Sequence, residues 1–249
     1  MSVLFVASSG QWFSLPNNMG FTSNLPGFTA FAIVRPFSEP TAGTERRIFT
    51  ASVNGGTGSR VTMTQRNDGS GPFLRAFSRR LDGDGGEQAD STPTGAGLLS
   101  ANTTYSVAMV ANWAGSQLIG YINGVQVALV TPSWGGNSSP TTADTSAIGA
   151  RGGDGAQPWD GLIENLMWWP AALPAHAIQA LHVNKGGLSN ARTLAGNVPA
   201  YFWPMRGTLP APPSIVVEIW TRTGVDGSQV NSPTYNIHLG MEPAPIHAH

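Results

Sequence analysis

The sequence Gln117-Leu-Ile-Gly-Tyr-Ile122, Asn123-Gly124, Val125-Gln-Val-Ala-Leu129 constrains the fold more than any other stretch of this chain. Asn-Gly between two short apolar runs is a strong local hairpin signal, because both residues tolerate the positive φ angles of a type I′ turn. Ahead of it, Tyr105, Val107 and Met109 alternate with Ser106, Ala108 and Val110, so a further antiparallel strand precedes the hairpin. The same period-two pattern fills the first 151 residues. Val3, Phe5 and Ala7 alternate. Phe28, Ala30, Ala32 and Val34 share one face of a second run, and Phe31 and Ile33 the other, until Pro36 ends it. Residues 47–53, 60–65 and 73–77 read as strands too, with Asn67-Asp68-Gly69 turning the chain between the last two.

Only residues 173–185 read as a helix: Pro174 is tolerated in its first turn, Ala177, Ile178, Leu181 and His182 lie along one face, and Gly186-Gly187 stops it. One short helix after many strands describes an all-β chain with a peripheral cap. Residues 187–249 differ in character, with Tyr201-Phe202-Trp203-Pro204, a proline-rich stretch at 209–213, and an alternating run from Ile215 to Trp220. The expected organisation is therefore a sandwich over 1–186 and a carboxyl-terminal extension or arm over 187–249. Trp220, Tyr235 and Ile246 are the candidate attachment residues of that arm.

Composition narrows the function classes. Charged residues make up 11% of the 249, against about 25% in ordinary domains, while 31 Gly and 19 Pro supply uncharged turns. A net charge of -1 with no Lys/Arg run excludes the basic footprint of a nucleic-acid binder. The pairs Arg46-Arg47 and Arg79-Arg80 are expected to decorate strand ends. The absence of cysteine removes thiolate metal sites, disulfides and thiol nucleophiles. No stretch approaches the roughly 20 apolar residues that span a bilayer, and no basic segment precedes the apolar residues 3–7. The expectation is no membrane insertion and synthesis in a host cytoplasm without a signal peptide.

Four segments, taken in order, resemble the concanavalin A-like superfamily, and in particular its laminin-G-like domains. Val3-Leu-Phe-Val-Ala-Ser-Ser-Gly-Gln-Trp-Phe-Ser-Leu-Pro16 is similar to the opening strand pair, and Phe28-Thr-Ala-Phe-Ala-Ile-Val-Arg-Pro36 to the following strand. Residues 104–128, with Tyr121-Ile-Asn-Gly-Val125, resemble the family hairpin. Ile148-Gly149 and Trp159-Asp-Gly-Leu-Ile-Glu-Asn-Leu-Met-Trp168, followed by Ala172-Leu173, resemble its closing strand and cap. The likeness spans residues 2–185 and implies a two-sheet antiparallel jelly-roll sandwich. Two positions depart from the family pattern: Glu164-Asn165 replaces the usual Asp-Glu, and Pro174 stands where Ser or Thr often starts the helix. The fold hosts lectins, hydrolases, adhesion modules and structural domains, so function must be argued from residues.

A glycosidase on this scaffold needs two carboxylates facing one groove, and related glucanases carry Glu-x-Asp-x-x-Glu on one strand. That motif is absent, and the nearest pair, Asp160 and Glu164, lacks the third acid. No Gly-x-Ser-x-Gly turn presents a serine nucleophile, and His176 and His182 fall on the helix. His247-Ala-His249 could bind a metal only adventitiously, so no metal site is assigned. The resemblance implies calcium as a candidate ion, with Asn67-Asp68, Asp82, Asp84, Asp144, Asp154 and Asp160 available in Gly-rich loops, but turn chemistry explains each equally well. Sugar binding calls for an aromatic face with amide partners. Trp12, Trp168, Trp169 and Trp203 lie in apolar patterns and read as core. Trp113 and Trp134 read as loop residues, which makes Trp134, Asn137 and Trp113 the candidate carbohydrate-binding set.

The expected function is non-catalytic binding or assembly. The form drawn from the sequence is an accessory phage virion surface protein, either a capsid decoration or fibre-associated, with other virion proteins, a cell-surface glycan or a second copy as partners. A lectin-like module and, less favoured, a glycoside hydrolase are the alternatives.

Overall fold

A computed structural model describes residues 3–15, 22–53, 58–141, 143–152 and 154–185, together with the backbone of three short strands at 201–203, 216–217 and 235–236. Two antiparallel sheets face each other. The seven-stranded sheet runs β1 (Val3–Phe5), β12 (Gly161–Trp169), β3 (Phe28–Pro36), β8 (Tyr105–Asn112), β9 (Gln117–Ile122), β10 (Val125–Val130). Its seventh strand, β13 (Tyr201–Trp203), also pairs with β12. The six-stranded sheet runs β2 (Phe13–Leu15), β11 (Thr145–Ile148), β4 (Thr44–Val53), β5 (Gly58–Asn67), β6 (Pro72–Ser78), β7 (Glu87–Asp90). A separate two-stranded ladder joins β14 (Val216–Val217) to β15 (Tyr235–Asn236).

The alternation read from the sequence sorts side chains into two apolar layers. Phe28, Ala30, Ala32 and Val34 of β3 meet Phe49, Ala51, Val61, Met63, Leu74 and Ala76 of the opposite sheet. Phe28 stacks between Phe49 at 6.1 Å and Trp168 at 5.8 Å between ring centroids, tying the two sheets together. The other face of β3 and β8 carries Phe31, Ala108 and Val110, which pack with Leu173, Ala177, Ile178 and Leu181. Here lies the helix α1 (Ala175–Val183), shorter by two residues at each end than the pattern predicts. Pro174 occupies its N-cap without a side-chain hydrogen bond, and Thr29 does the anchoring instead: its hydroxyl donates to the Ala171 carbonyl at 2.7 Å and accepts from the Leu173 N–H at 2.9 Å.

The predicted hairpin is present, with Asn123 at φ 51° and Gly124 at φ 77°. In β12, Asn165 and Leu166 together face Ala32 of β3, forming a bulge in which Asn165 has φ 51°. The bulge shifts the phase of the strand, so that Ile163 and Leu166 both enter the inter-sheet core although three residues apart. Met167 and Trp169 then turn to the helix layer. Asn165 also donates from Nδ2 to the Lys185 carbonyl at 3.1 Å, holding the end of the helix segment. The departure from the family pattern at this position is thus the residue that tolerates the left-handed backbone and clasps the cap. Gly161 opens the same strand at φ 144°, where a Cβ would come 2.1 Å from the Arg35 carbonyl oxygen.

Candidate functional site

The outward residues of the six-stranded sheet form a regular array fixed by strand register. Arg47 of β4 is paired with Thr64 of β5, Thr64 with Arg75 of β6, and Arg75 with Asp90 of β7. The row on one side holds Glu45, Arg66 and Phe73, and the row on the other holds Thr50, Thr62, Phe77 and Gln88. Their strand neighbours Val61, Met63, Leu74, Ala76 and Ala89 point the other way, into the core. Four strands thus present polar groups on one surface because a period of two gives every second residue to that face. The alternation is interrupted in β4 by the register shift that places both Ile48 and Phe49 in the core between Arg47 and Thr50.

A depression of about 200 Å3 lies on this face, lined by Glu45, Arg47, Thr62, Thr64, Arg66, Arg75, Phe77 and Gln88. Its arginines are held in place. Arg47 is almost wholly buried; Nε donates to Gln157 Oε1 at 2.6 Å, Nη1 to Thr62 Oγ1 at 3.1 Å and Nη2 to Glu45 Oε1 at 3.1 Å. Burial lowers the Arg47 pKa, and the neighbouring Glu45 charge only partly opposes that. Arg75 forms a two-pronged pair with Asp90 at 2.7 and 2.6 Å and lies 5.9 Å from the Phe73 ring centroid. Arg66 reaches Glu45 at 3.8 Å. Beneath them Thr64 is 1% exposed, and its hydroxyl has no hydrogen-bond partner among the described residues.

The loop set singled out from the sequence lies elsewhere. Trp134 is half-buried against the core edge, and its carbonyl accepts from Ser116 Oγ at 2.6 Å. Asn137 is exposed, and its Nδ2 donates to the Asn24 carbonyl and Oδ1, both at 3.2 Å. Trp113 corrects the expectation of an exposed ring: it is fully buried, with Nε1 donating to Ser78 Oγ at 3.0 Å. An indole after a strand end closes the sandwich here, and flanking Asn and Gly made the position read as open loop. Trp12, expected in the core, is half-buried, and its ring occupies the space where a Gly155 Cβ would fall. Of the arm residues, Tyr235 lies in β15, where only backbone is described, and Trp220 and Ile246 lie outside the described residues.

The depression itself was missed because its residues are individually ordinary; the signal was the alternation Thr62, Thr64, Arg66 and Arg75, Phe77 on the polar side of strands read for their apolar side. Arg47, read as a strand-end decoration, is one of its walls.

The acids weighed for chemistry serve structure. Asp160 accepts from Ser38 Oγ, pairs with Arg46 at 3.5 Å and lies 3.5 Å from the Ala7 N–H. Four positions of extended chain, about 13 Å of backbone, lie between it and Glu164. Asp82 joins the buried Arg60, which also donates to the carbonyls of Thr22, Ser139 and Thr141. Asp154 pairs with Arg151, and Asn67 and Asp68 accept from nearby backbone N–H groups in their turn. Among the described residues no three His, Asp or Glu side chains gather to hold a metal ion. His182 Nδ1 lies 2.9 Å from Ser106 Oγ at the helix–sheet contact, while His176 is exposed. No helix of the described residues is long and apolar enough to cross a membrane.

Two facing antiparallel sheets with a helix on the outer side of one define a lectin-like β-sandwich. Residues 7–179 match the family model Laminin_G_3 of the concanavalin A-like lectin/glucanases superfamily, and the chain belongs to that family. Comparison with curated proteins finds no match. Among solved structures, a Bacteroides ovatus ATCC 8483 protein provisionally assigned as carbohydrate binding is similar, with a TM-score of 0.60 and 18% identity; the match covers 98% of this chain and 60% of that one. The CBM40 domain of the Ruminococcus gnavus IT-sialidase, bound to α2,3-sialyllactose, gives a TM-score of 0.54 and 16% identity over 73% of this chain and 96% of its own. Domain 4 of the Geobacillus stearothermophilus arabinanase AbnA, in complex with arabinotriose, gives 0.50 and 16% over 73% and 76%. At these identities the likeness is one of fold.

Proposed function

We propose that this chain is a non-catalytic carbohydrate-binding domain that holds its ligand on the outer face of the six-stranded sheet. The observation that carries the reading is the depression itself: four adjacent strands direct hydroxyl, amide, guanidinium and carboxylate groups, with one phenyl ring, into a space suited to a sugar unit. Sugars are bound through such fixed polar groups beside an apolar surface, and a rigid sheet positions them without loop ordering. The glycans named for the Ruminococcus gnavus and Geobacillus stearothermophilus domains support the class of ligand. The absence of any acid among the lining residues other than Glu45 argues for holding a glycan rather than cleaving it.

A glycan array probed with the full chain tests the reading. Binding that is lost in Arg66→Ala and Gln88→Ala, and kept in Trp134→Ala, is the expected result. Loss in Trp134→Ala and Asn137→Ala with the sheet variants intact would move the site to the loop set. The virion-surface placement expected from the sequence concerns where such a domain is carried; detection of the protein in purified particles is its test.

A further inference from the structure

Thr64 has an arginine as its outward neighbour on three sides of the sheet face. Arg47 and Arg75 are its cross-strand partners on β4 and β6, so their backbones stand about 10 Å apart, two strand spacings, on either side of it. Arg66 is the next outward residue on its own strand. All three line the same depression, against one lining carboxylate, Glu45, with Asp90 at the rim beside Arg75. The floor between them is the Thr64 hydroxyl, buried without a partner, a position that ordinarily costs a protein stability and calls for an explanation. A neutral sugar would satisfy that hydroxyl, but the three arginines outnumber Glu45 and Asp90 and give the depression a net positive charge.

We infer that the depression takes an anionic group of its glycan, a carboxylate or a sulfate, seated over Thr64 among Arg47, Arg66 and Arg75. This rests on the glycan-binding reading above and sharpens it. The anion accepts hydrogen bonds from the arginines and, once the guanidiniums swing slightly apart, from the Thr64 hydroxyl. Arg75 keeps its Nη1 donors free of the Asp90 pair for this purpose, because that pair uses Nε and Nη2. Arg66, reaching Glu45 at 3.8 Å, is close enough to the pocket to turn towards an incoming charge.

The test measures the full chain against immobilised neutral glycans, uronic- or sialic-acid glycans, and sulfated glycans, in wild type, Thr64→Val and Arg75→Gln, with a thermal melt of each protein. Expected are preference for one acidic class, weakening of that binding with added salt, a drop in affinity of about 3- to 10-fold in Thr64→Val, the range for one hydrogen bond, and about 10-fold or more in Arg75→Gln, which removes a charge-assisted one. Thr64→Val is expected to melt no lower than wild type, since the hydroxyl has no partner to lose; a merely structural threonine would show the reverse. Selective binding to neutral glycans would overturn the anionic assignment and leave the glycan reading standing. Binding to acidic glycans unchanged in both variants would overturn the site. Binding to no glycan of any class would remove the underlying reading, and this inference with it.

Discussion

Trp113 Nε1 donates to Ser78 Oγ at 3.0 Å, and both residues are fully buried. The indole follows β8 of one sheet and the hydroxyl ends β6 of the other, so a single hydrogen bond links the two layers at their margin. Trp113→Ala is expected to cost about 3–5 kcal/mol through cavity formation, and Ser78→Ala about 1–3 kcal/mol through the stranded indole N–H. Urea unfolding of the two variants checks both values. Folded Trp113→Phe should bind any glycan ligand as wild type does.

Gly161 tolerates no side chain. At φ 144°, with the Arg35 carbonyl 2.1 Å from where a Cβ would stand, Gly161→Ala must push β12 away from β3. A loss of about 3 kcal/mol or more is expected, the range for strained backbone combined with overpacking. Thermal denaturation measures it. An alanine variant as stable as wild type would contradict this account of the strand.

Acid should loosen the loops around Arg60. Burial pushes the Asp82 pKa up, but hydrogen bonds from Thr141, Ser139 and Arg60 outweigh it and hold the carboxyl below its ordinary value. The Arg151 hydrogen bond lowers exposed Asp154 to about 2. Both folded pKa values lie below the unfolded ones. The stabilisation is therefore complete above the ordinary carboxyl range, near pH 4, and drains away as pH falls through the depressed values. Melts between pH 5 and 2 should show Asp82→Asn losing less stability on acidification than wild type does. Asp154→Asn should differ little, because its pair is open to solvent.

Asp160 and Glu164 are expected to be dispensable for any glycan interaction. Asp160→Asn should weaken the Ser38 and Arg46 contacts and lower the melting point, without altering turnover of a chromogenic glycoside, expected at background in wild type. Turnover that disappears in Asp160→Asn or Glu164→Gln would restore the hydrolase alternative.

The fold was legible because its determinants are local and periodic. Phe28 to Val34 announces both its faces, and Asn123-Gly124 announces its turn. Less visible was β7, whose Glu87, Gln88 and Asp90 carry little apolar signal and become a strand only through pairing with β6. The candidate site was not legible for a related reason. Arg47, Thr64 and Arg75 lie in separate segments, and only the register between strands sets them in one row. Trp113 shows the converse failure: Asn112 before it and Gly115 two residues after it mark a loop in the sequence, yet the ring turns inward and is buried.

The bulge at Asn165 makes β12 behave as two gratings joined half a period out of step, each tuned to a different apolar layer. Deleting that one residue would restore plain alternation, with Leu166 and Trp168 still between the sheets and Met167 and Trp169 still under the helix, whereas deleting a single residue from Leu166 onward would exchange the faces of those after it. Asn165 is therefore the position at which this strand can lose one residue and stay in step, and what such a loss gives up is the clasp on Lys185.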